Sequence, residues 1–256
     1  MSMNYKNLSL KIRKSILKIA NSSQCSHIGS NLSIVDILSV LYGKFLKDKK
    51  NSFILSKGHA CLALYCVLKE TGFISEKILN TFGKNGTVLM SHASHKVDGV
   101  NLSTGSLGHG LPVATGIALA NKINKKNSKI FVLLSDGELD EGSNWESILF
   151  SSHHKLNNLI IIIDYNKLQS IDSVKNTLNL EPLDKKFISF GYKAIRVNGH
   201  NCEQILRALN SKSSKPLVII ANTVKGKGVS FMENSVLWHY KSLNSENYQR
   251  AMKIVK

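Results

Sequence analysis

Residues 129–172 read KIFVLLSDGELDEGSNWESILFSSHHKLNNLIIIIDYNKLQSID. This segment contains two short apolar runs, at 130–134 and 159–163, and polar residues follow each run at once. Short apolar runs bounded by turn residues are typical of buried β-strands, and the residues between these two have room for a helix of about 14 residues. Strands joined through such a helix are parallel, since the crossover returns the chain to the same end of the sheet. The segment therefore predicts a strand–helix–strand unit of an α/β fold.

Oxygen-bearing side chains follow both predicted strands. Asp136 comes just after the first strand and Asn166 just after the second. We expect the two to lie close together, because open α/β sheets bind ligands at the carboxyl ends of their strands. A carboxylate and an amide oxygen suit a hard divalent cation such as Mg²⁺ that also holds phosphates, and Gly137 allows close approach of the backbone to a phosphate. An acidic turn between two buried strands is the alternative.

These residues resemble a known family. Asp136 and Gly137, with Asn166 after the next apolar strand, are similar to the thiamine diphosphate signature, and GELDEGSNWE, HHKLNNL and DYNKLQ resemble the transketolase branch. The resemblance implies that Asp136, Asn166 and the Leu168 carbonyl hold Mg²⁺, or Ca²⁺ or Mn²⁺ in its place. It also implies that Gly137 lies against the diphosphate of the cofactor, thiamine diphosphate. Ser135 replaces the family's usual glycine and leaves these ligands in place.

The size and composition of the chain favour one domain over residues 1–256. Hydrophobic residues make up 43% of the 256, and no linker or repeat interrupts a chain with only three prolines. The resemblance implies a three-layer α/β fold, with a mostly parallel sheet and helices on both faces. Four cysteines without CxxC or metal-ligand spacing predict reduced thiols. Without a signal peptide or a run long enough to cross a bilayer, we expect a cytoplasmic protein with no membrane partner.

The charge of the chain raises the question of an anionic partner. Lysine and arginine number 34 against 17 acidic residues, a formal net charge of +17. Lysine pairs at 49–50, 125–126 and 185–186 fall at predicted element ends, without interleaved aromatic residues. This pattern favours a solvated lysine-rich surface over contact with an acidic partner chain and over nucleic-acid binding. We therefore expect no nucleic-acid partner.

Two histidines lie near the amino end of predicted helices. Residues 4–20 have the apolar spacing of a helix packed on the core rather than on a membrane surface. Next, His27 lies in a turn that resembles the family's Gly-His-x-Gly, where the histidine faces the donor sugar; by itself, a histidine before a helix is more often a cap or a packed ring. His59 lies between a predicted strand at 51–55 and a helix at 62–68, a context that binds anions. The resemblance implies that His59 reaches the cofactor diphosphate.

The loop at 90–110 holds three histidines and four glycines before a predicted helix at 111–122. His92 and His95 are three residues apart, which first suggests a metal site. The Thr-Gly-Ser-Leu-Gly run instead resembles the family turn that lies against the cofactor. That resemblance implies that Gly105 and Leu107 contact the cofactor and that His92 faces the substrate.

Two further residues complete the predicted site. Glu141 matches an acid that in the family lies at the subunit interface and shares a proton with the partner's acid; a first-turn glutamate favoured by the helix dipole is an equal alternative. His239 follows a predicted strand at 217–223 and a Lys-Gly-Lys-Gly loop that lacks the spacing of a phosphate-binding P-loop. The resemblance implies that His239 contacts the diphosphate and the substrate.

The resemblance corresponds to the N-terminal portion of a transketolase. It implies a split enzyme, an α2β2 heterotetramer, in which this subunit works with a separate, pyrimidine-binding C-terminal subunit. The expected reaction transfers a two-carbon ketol unit from a ketose phosphate to an aldose phosphate. The alternatives are a thiamine-dependent synthase that decarboxylates pyruvate onto an aldehyde sugar, and a non-catalytic protein associated with nucleic acid.

Overall fold

A computed structural model describes residues 4–47 and 50–255; Lys49, of the lysine pair at 49–50, lies outside them. One five-stranded sheet runs through the described chain, in the order β1-β2-β3-β5-β4, and every neighbouring pair is parallel. The sheet is thus entirely parallel over these residues, rather than mostly so. The strands are β1 (Ser52–Leu55), β2 (Ile130–Ser135), β3 (Leu159–Tyr165), β4 (Lys193–Asn198) and β5 (Leu217–Asn222).

Helices connect the strands and cover both faces of the sheet. They are α1 (Tyr5–Ser23), α2 (Ile28–Ser33), α3 (Val35–Val40), α4 (Cys61–Glu70), α5 (Glu76–Leu79), α6 (Gly110–Ile123), α7 (Gly142–His153), α8 (Val174–Thr177), α9 (Leu183–Ser189), α10 (Cys202–Leu209) and α11 (Ser245–Ile254). A π-helical turn follows α3, and short 3-10 turns lie at Gly58–Ala60, Gly137–Asp140 and Val236–His239.

Alternate residues of the strands face two separate cores. Phe131 and Ile162 face a core built with α1 to α4, α10 and α11. Val132 and Ile161 face the other core, which includes residues of α6, α7 and α9. Because both faces are covered, β2 and β3 are buried at every position and read as continuous apolar runs. The predicted three-layer α/β architecture is confirmed.

The predicted strand–helix–strand unit is β2, α7 and β3. The two strands pair in parallel, with Ser135 opposite Asp164 at their carboxyl ends. The 3-10 turn Gly137–Asp140 precedes α7, so the helix begins later than the apolar pattern alone predicts. This turn follows Asp136, whose side chain accepts a hydrogen bond from the Gly137 N–H.

The first helix packs on the core, as the spacing predicted. In α1 the side chains of Ile12 and Ile16 are fully buried, and the Asn4 side chain caps the helix by accepting from the Asn7 N–H. The single helix expected over 34–45 is instead α3 followed by a π-helical turn, in which the Leu46 N–H reaches the carbonyl five residues back. Within the described residues, no helix combines the length and the apolar character needed to cross a bilayer.

The carboxyl ends of four strands bring polar residues to one edge of the sheet. The segments that leave this edge are 56–59 after β1, 136–137 after β2, 166–169 after β3 and 223–225 after β5. Backbone bonds join neighbouring segments, including Thr223 N–H to the Tyr165 carbonyl at 3.2 Å. This edge is where the predicted site residues meet.

Candidate active site

A cavity of about 240 Å³ opens at the carboxyl edge of the sheet. The four histidines predicted from the sequence line it: His27, His59, His92 and His239. The residues predicted to contact the cofactor or the metal also line it: Gly105, Leu107, Asp136, Gly137, Asn166 and Leu168. These residues come from the start, the middle and the end of the chain, and the fold brings them together.

Glu141 is the exception among the predicted site residues. Its side chain is exposed at the position that begins α7, outside the cavity lining. Its role in sharing a proton with a partner's acid stays a prediction. The neighbouring Glu138, which the sequence did not single out, is fully buried.

Glu138 holds together the loops that border the cavity. Its carboxylate accepts from the Ser56 hydroxyl at 2.5 Å, the Gly108 N–H at 3.1 Å and the Ser135 N–H at 3.3 Å. Burial raises the pKa of Glu138, against the hydrogen bonds that lower it. The side chain therefore links the end of β1, the end of β2 and the turn at 104–108. Only its place in the GELDEG motif marked it in the sequence.

Asp136 is a buried carboxylate without a full countercharge. Its two oxygens accept from the Gly137 N–H at 2.9 Å and the Lys167 N–H at 2.6 Å. Burial, and next the charge of Asp164, raise the pKa of Asp136 to about 7. The amide oxygen of Asn166 accepts only from a backbone N–H, so both side chains keep lone pairs for a ligand. This donor set fits a hard divalent cation, which supplies the missing positive charge.

A buried ion pair underlies the cavity. The Lys57 ammonium lies 2.5 Å from a carboxylate oxygen of Asp164, and the two side chains are 1% and 0% exposed. The hydroxyls of Ser33 and Thr223 and the Asn166 amide also donate to Asp164. Burial opposes ionisation of Asp164, but the charge of Lys57 and these hydrogen bonds outweigh it and keep its pKa below the usual value. Asp164 is thus an ionised anchor beneath the site.

Lys225 brings a second cation to the cavity wall. Its ammonium donates to the carbonyls of Gln169 at 2.8 Å and Leu168 at 3.2 Å, and lies 3.0 Å from Nδ1 of His239. Burial, and next the charge of Lys57, lower the pKa of Lys225 to about 8. Two ammonium groups in one small cavity favour an anionic ligand. The sequence quoted both lysines in motifs but assigned neither of them a role.

The histidines form one cluster of neutral rings. The centroid of the His27 ring lies 4.9 Å from that of His239, 5.3 Å from that of His59 and 6.3 Å from that of His92. Burial is the largest cause that lowers the pKa of His27 to about 4, that of His239 to about 3, and that of His59 well below its usual value. At neutral pH these three imidazoles each carry one N–H donor and one acceptor nitrogen.

Close backbone packing fixes the loop that carries His92. The Thr104 hydroxyl donates to the Leu55 carbonyl at 2.6 Å, and the His92 carbonyl accepts from the Tyr65 hydroxyl at 2.9 Å. A Cβ on Gly105 would lie 3.4 Å from the His92 ring. His95 instead bonds Ser103, and the described residues contain no group of three histidine, cysteine or acidic side chains placed to bind a metal. The first suspicion of a histidine metal site in this loop is therefore not supported.

Comparison with known proteins gives a consistent result along the chain. Residues 6–255 match the family model described as transketolase, thiamine diphosphate binding domain. The chain is 42% identical to one of the separately named subunits of the apulose-4-phosphate transketolase of Actinobacillus succinogenes, over 95% of this chain and 92% of that protein. It is 36% identical to 6-deoxy-6-sulfo-D-fructose transketolase subunit SqwG of a Clostridium species, over 94% and 92% of the two chains. Human transketolase is 35% identical over 91% of this chain, which covers 39% of that protein.

Solved structures have the same fold. Transketolase from Campylobacter jejuni superposes with a TM-score of 0.88 at 29% identity, over 98% of this chain and 42% of that one. Transketolase from Leishmania mexicana superposes with a TM-score of 0.91 at 24% identity, a likeness of fold alone. The chain thus spans about two fifths of the length of these two transketolase chains, but nearly all of the relatives that are named as subunits of a transketolase.

The lowered pKa of His27 predicts a pH-dependent stability. In the unfolded chain the imidazole takes up a proton near pH 6.5, and in the folded chain only near pH 4. The unfolded state therefore binds more protons between these values, and His27 stabilises the fold above pH 6.5 and progressively less as the pH falls to 4. We expect His27→Gln to flatten this fall by about 1–2 kcal/mol, after allowance for the partial exposure of the ring.

Urea denaturation at closely spaced pH values from 4 to 8 measures this effect. The slopes of wild type and His27→Gln should differ between pH 4 and 6.5 and run parallel above pH 7. Equal slopes throughout would contradict the burial of the His27 ring in the cluster.

Proposed function

Because the chain belongs to the transketolase family, whose thiamine diphosphate binding domain it carries, we propose that it is the N-terminal subunit of a split transketolase. In this role it works with a separate C-terminal subunit to move a two-carbon ketol unit from a ketose phosphate to an aldose phosphate. The observation that carries the proposal is the meeting of four histidines, two lysines and the Asp136–Asn166 pair in one cavity.

A divalent cation, most simply Mg²⁺, belongs to the proposed site. Asp136, Asn166 and the carbonyl of Leu168 would hold it, with Ca²⁺ or Mn²⁺ as substitutes. The support is the raised pKa of the buried Asp136 carboxyl, which signals a negative charge without a full partner. Oxygen ligands of this kind are those that Mg²⁺ takes when it also holds phosphates.

The charges around the cavity suit a diphosphate. Lys57 and Lys225 place two buried ammonium groups at its wall, and Gly137 presents backbone to it. Burial strengthens the attraction between these charges and an anion, because little water remains to screen them. We assign the diphosphate of thiamine diphosphate to this part of the cavity, with Gly105 and Leu107 against its rings.

Thiamine diphosphate, when bound, supplies the reactive carbon that carries a two-carbon unit between sugars. The chain supplies the groups around the reacting oxygens. His27, His59, His92 and His239 line the cavity together, and neutral imidazoles can both donate a hydrogen bond to a developing oxyanion and exchange a proton with it. The substrate-facing role falls to His27 and His92, and contact with the diphosphate falls to His59 and His239.

Exposed apolar side chains beside the cavity support a partner subunit. Met90, Ile171, Leu237 and Tyr240 are each more than half exposed, on the segments that carry His92, Leu168 and His239. Apolar side chains gathered at the mouth of a site are typical of an interaction surface. Relatives that match nearly the full length are named as subunits of a transketolase, which fits a partner that completes the enzyme. We propose the α2β2 heterotetramer as the assembly and the cytoplasm as its location.

The cation site predicts the effect of removing one carboxylate. Asp136→Asn should abolish Mg²⁺-dependent binding of thiamine diphosphate, because a neutral amide cannot replace the charged ligand. Calorimetry on the complex with the C-terminal subunit measures the binding. Asp172→Asn is the matched control, since Asp172 is an exposed carboxylate of the same loop. If Asp136→Asn kept an affinity within a few-fold of wild type, the metal assignment would be wrong.

Gly105 offers a steric test of the cofactor position. Gly105→Ala should fold normally, because the new Cβ meets the His92 ring at an ordinary contact distance. The same methyl group narrows the cavity, and we expect the affinity for thiamine diphosphate to fall about tenfold, the effect of a modest overlap. Gly116→Ala is the control, since a Cβ there meets nothing within 4 Å. Unchanged calorimetric affinity in Gly105→Ala would move the cofactor away from this turn.

The partner requirement gives the main test of the function. The chain purified alone should show no two-carbon transfer from a ketose phosphate to an aldose phosphate, and mixing with the C-terminal subunit should restore it. General acid–base assistance alone is typically worth about 10²- to 10⁴-fold, so the difference should be large. Full turnover by the lone chain would refute the split enzyme. Turnover of the complex on pyruvate but on no ketose would instead favour the decarboxylating synthase.

A further inference from the structure

A second cavity lies at the opposite edge of the sheet from the histidine cluster. It has a volume of about 460 Å³ and opens beside the residues that precede β2, β3 and β5. Six-residue strands span about 20 Å, so the two cavities are separated by the length of the sheet. We call it the basal lysine cavity, after the five lysines that line it: Lys122, Lys125, Lys126, Lys129 and Lys212.

The segments around the basal lysine cavity contain no acidic residue. Residues 106–135, 147–163 and 204–232, which include every residue of its lining, lack aspartate and glutamate entirely. Cations elsewhere are paired, as in Arg13–Asp36 and Lys227–Glu233. Across the part of the chain that the structure describes, none of the five lysines lies within ion-pair distance of a carboxylate. The excess positive charge is therefore partly concentrated around one concave surface.

Hydrogen bonds hold parts of the cavity wall in place. The Lys122 ammonium donates to the carbonyls of His154 at 2.7 Å and Lys155 at 3.1 Å, which fixes it at the rim. The Ser211 hydroxyl oxygen accepts from the Lys193 ammonium at 2.6 Å, so its own proton is free to donate into the cavity. A charge that is already positioned loses less conformational entropy when a ligand binds.

Asn158 contributes an acceptor that the chain does not satisfy. Its amide nitrogen donates to the Ala118 carbonyl at 2.8 Å, while its Oδ1 is buried and has no hydrogen-bond partner among the described residues. Buried polar atoms in native proteins nearly always have a partner. A ligand hydroxyl in the basal lysine cavity would supply one.

We propose that the basal lysine cavity binds a small molecule that carries at least two phosphate groups. Five lysines around one opening suit several anionic groups, and lysine is a common ligand of phosphate. The volume falls within the range of about 300–1,000 Å³ that small-molecule pockets occupy. Its lining has no aromatic side chain on which a nucleic-acid base could stack, and the lysines surround a cavity rather than follow a track. This inference does not depend on the proposed transketolase activity.

Inorganic tripolyphosphate is the probe, titrated calorimetrically into the full chain at about 150 mM salt, where surface charges are screened beyond about 8 Å. Two double variants separate the basal lysine cavity from general surface charge. K126A/K129A removes two lysines of the cavity, and K185A/K186A removes an adjacent pair on α9 that lies outside it. Lys125 is left unchanged, because its positive φ of 53° would strain alanine. Both variants carry the same net charge, and the histidine cavity is intact in each.

We expect K126A/K129A to weaken the binding of tripolyphosphate about tenfold, since two ammonium–phosphate contacts are lost. K185A/K186A should stay within about twofold of wild type. Equal affinities of the two variants would overturn the proposal, because the binding would then reflect net charge alone. Duplex DNA that bound more tightly than tripolyphosphate, and lost that affinity in K126A/K129A alone, would also overturn it in favour of a nucleic-acid surface.

Discussion

The ion pair between Lys57 and Asp164 is the interaction on which the candidate active site depends. Removing two charges from water is costly, and the cost is recovered only where the pair is close and its remaining hydrogen-bonding groups are satisfied. Asp164 meets this condition with donors from α2, from the segment after β5 and from its own strand end. Four segments that are distant in sequence must therefore converge before the charge of either residue is tolerated. The convergence that stabilises the ion pair also creates the cavity.

The same pair sets the electrostatic character of the cavity. Asp164 neutralises Lys57 from below, while Lys225, which donates to neutral carbonyls, keeps an uncompensated positive charge. The histidines beside them stay neutral, because burial and the nearby ammonium groups both lower the pKa of their rings. The cavity thus combines positive charge at its wall with uncharged proton donors and acceptors. An anionic cofactor and a polyhydroxylated substrate need these two kinds of group side by side.

The sequence predicted those parts of the site that rest on strand ends. Asp136 and Asn166 follow buried strands, and periodicity with the rules of parallel sheets was enough to bring them together. Lys57, Lys225 and Glu138 were missed because hydropathy patterns treat charged residues as exposed, and each of these is buried by partners far away in sequence. The π-helical turn after α3 was missed for a related reason, since local spacing carries no information on a change of helical pitch.

The glycines at the cavity edge limit how this sequence can change. A Cβ at Gly58 would overlap the carbonyl of Thr104, and a Cβ at Gly110 would overlap the side chain of Ser56. The segment after β1 and the loop before α6 therefore touch through backbone that no other amino acid can occupy. A substitution in one segment is tolerated only together with a shift of the other, so the two diverge as one unit during evolution. Variation in this chain is correspondingly easier on its lysine-rich surface, where no such contact has to be preserved.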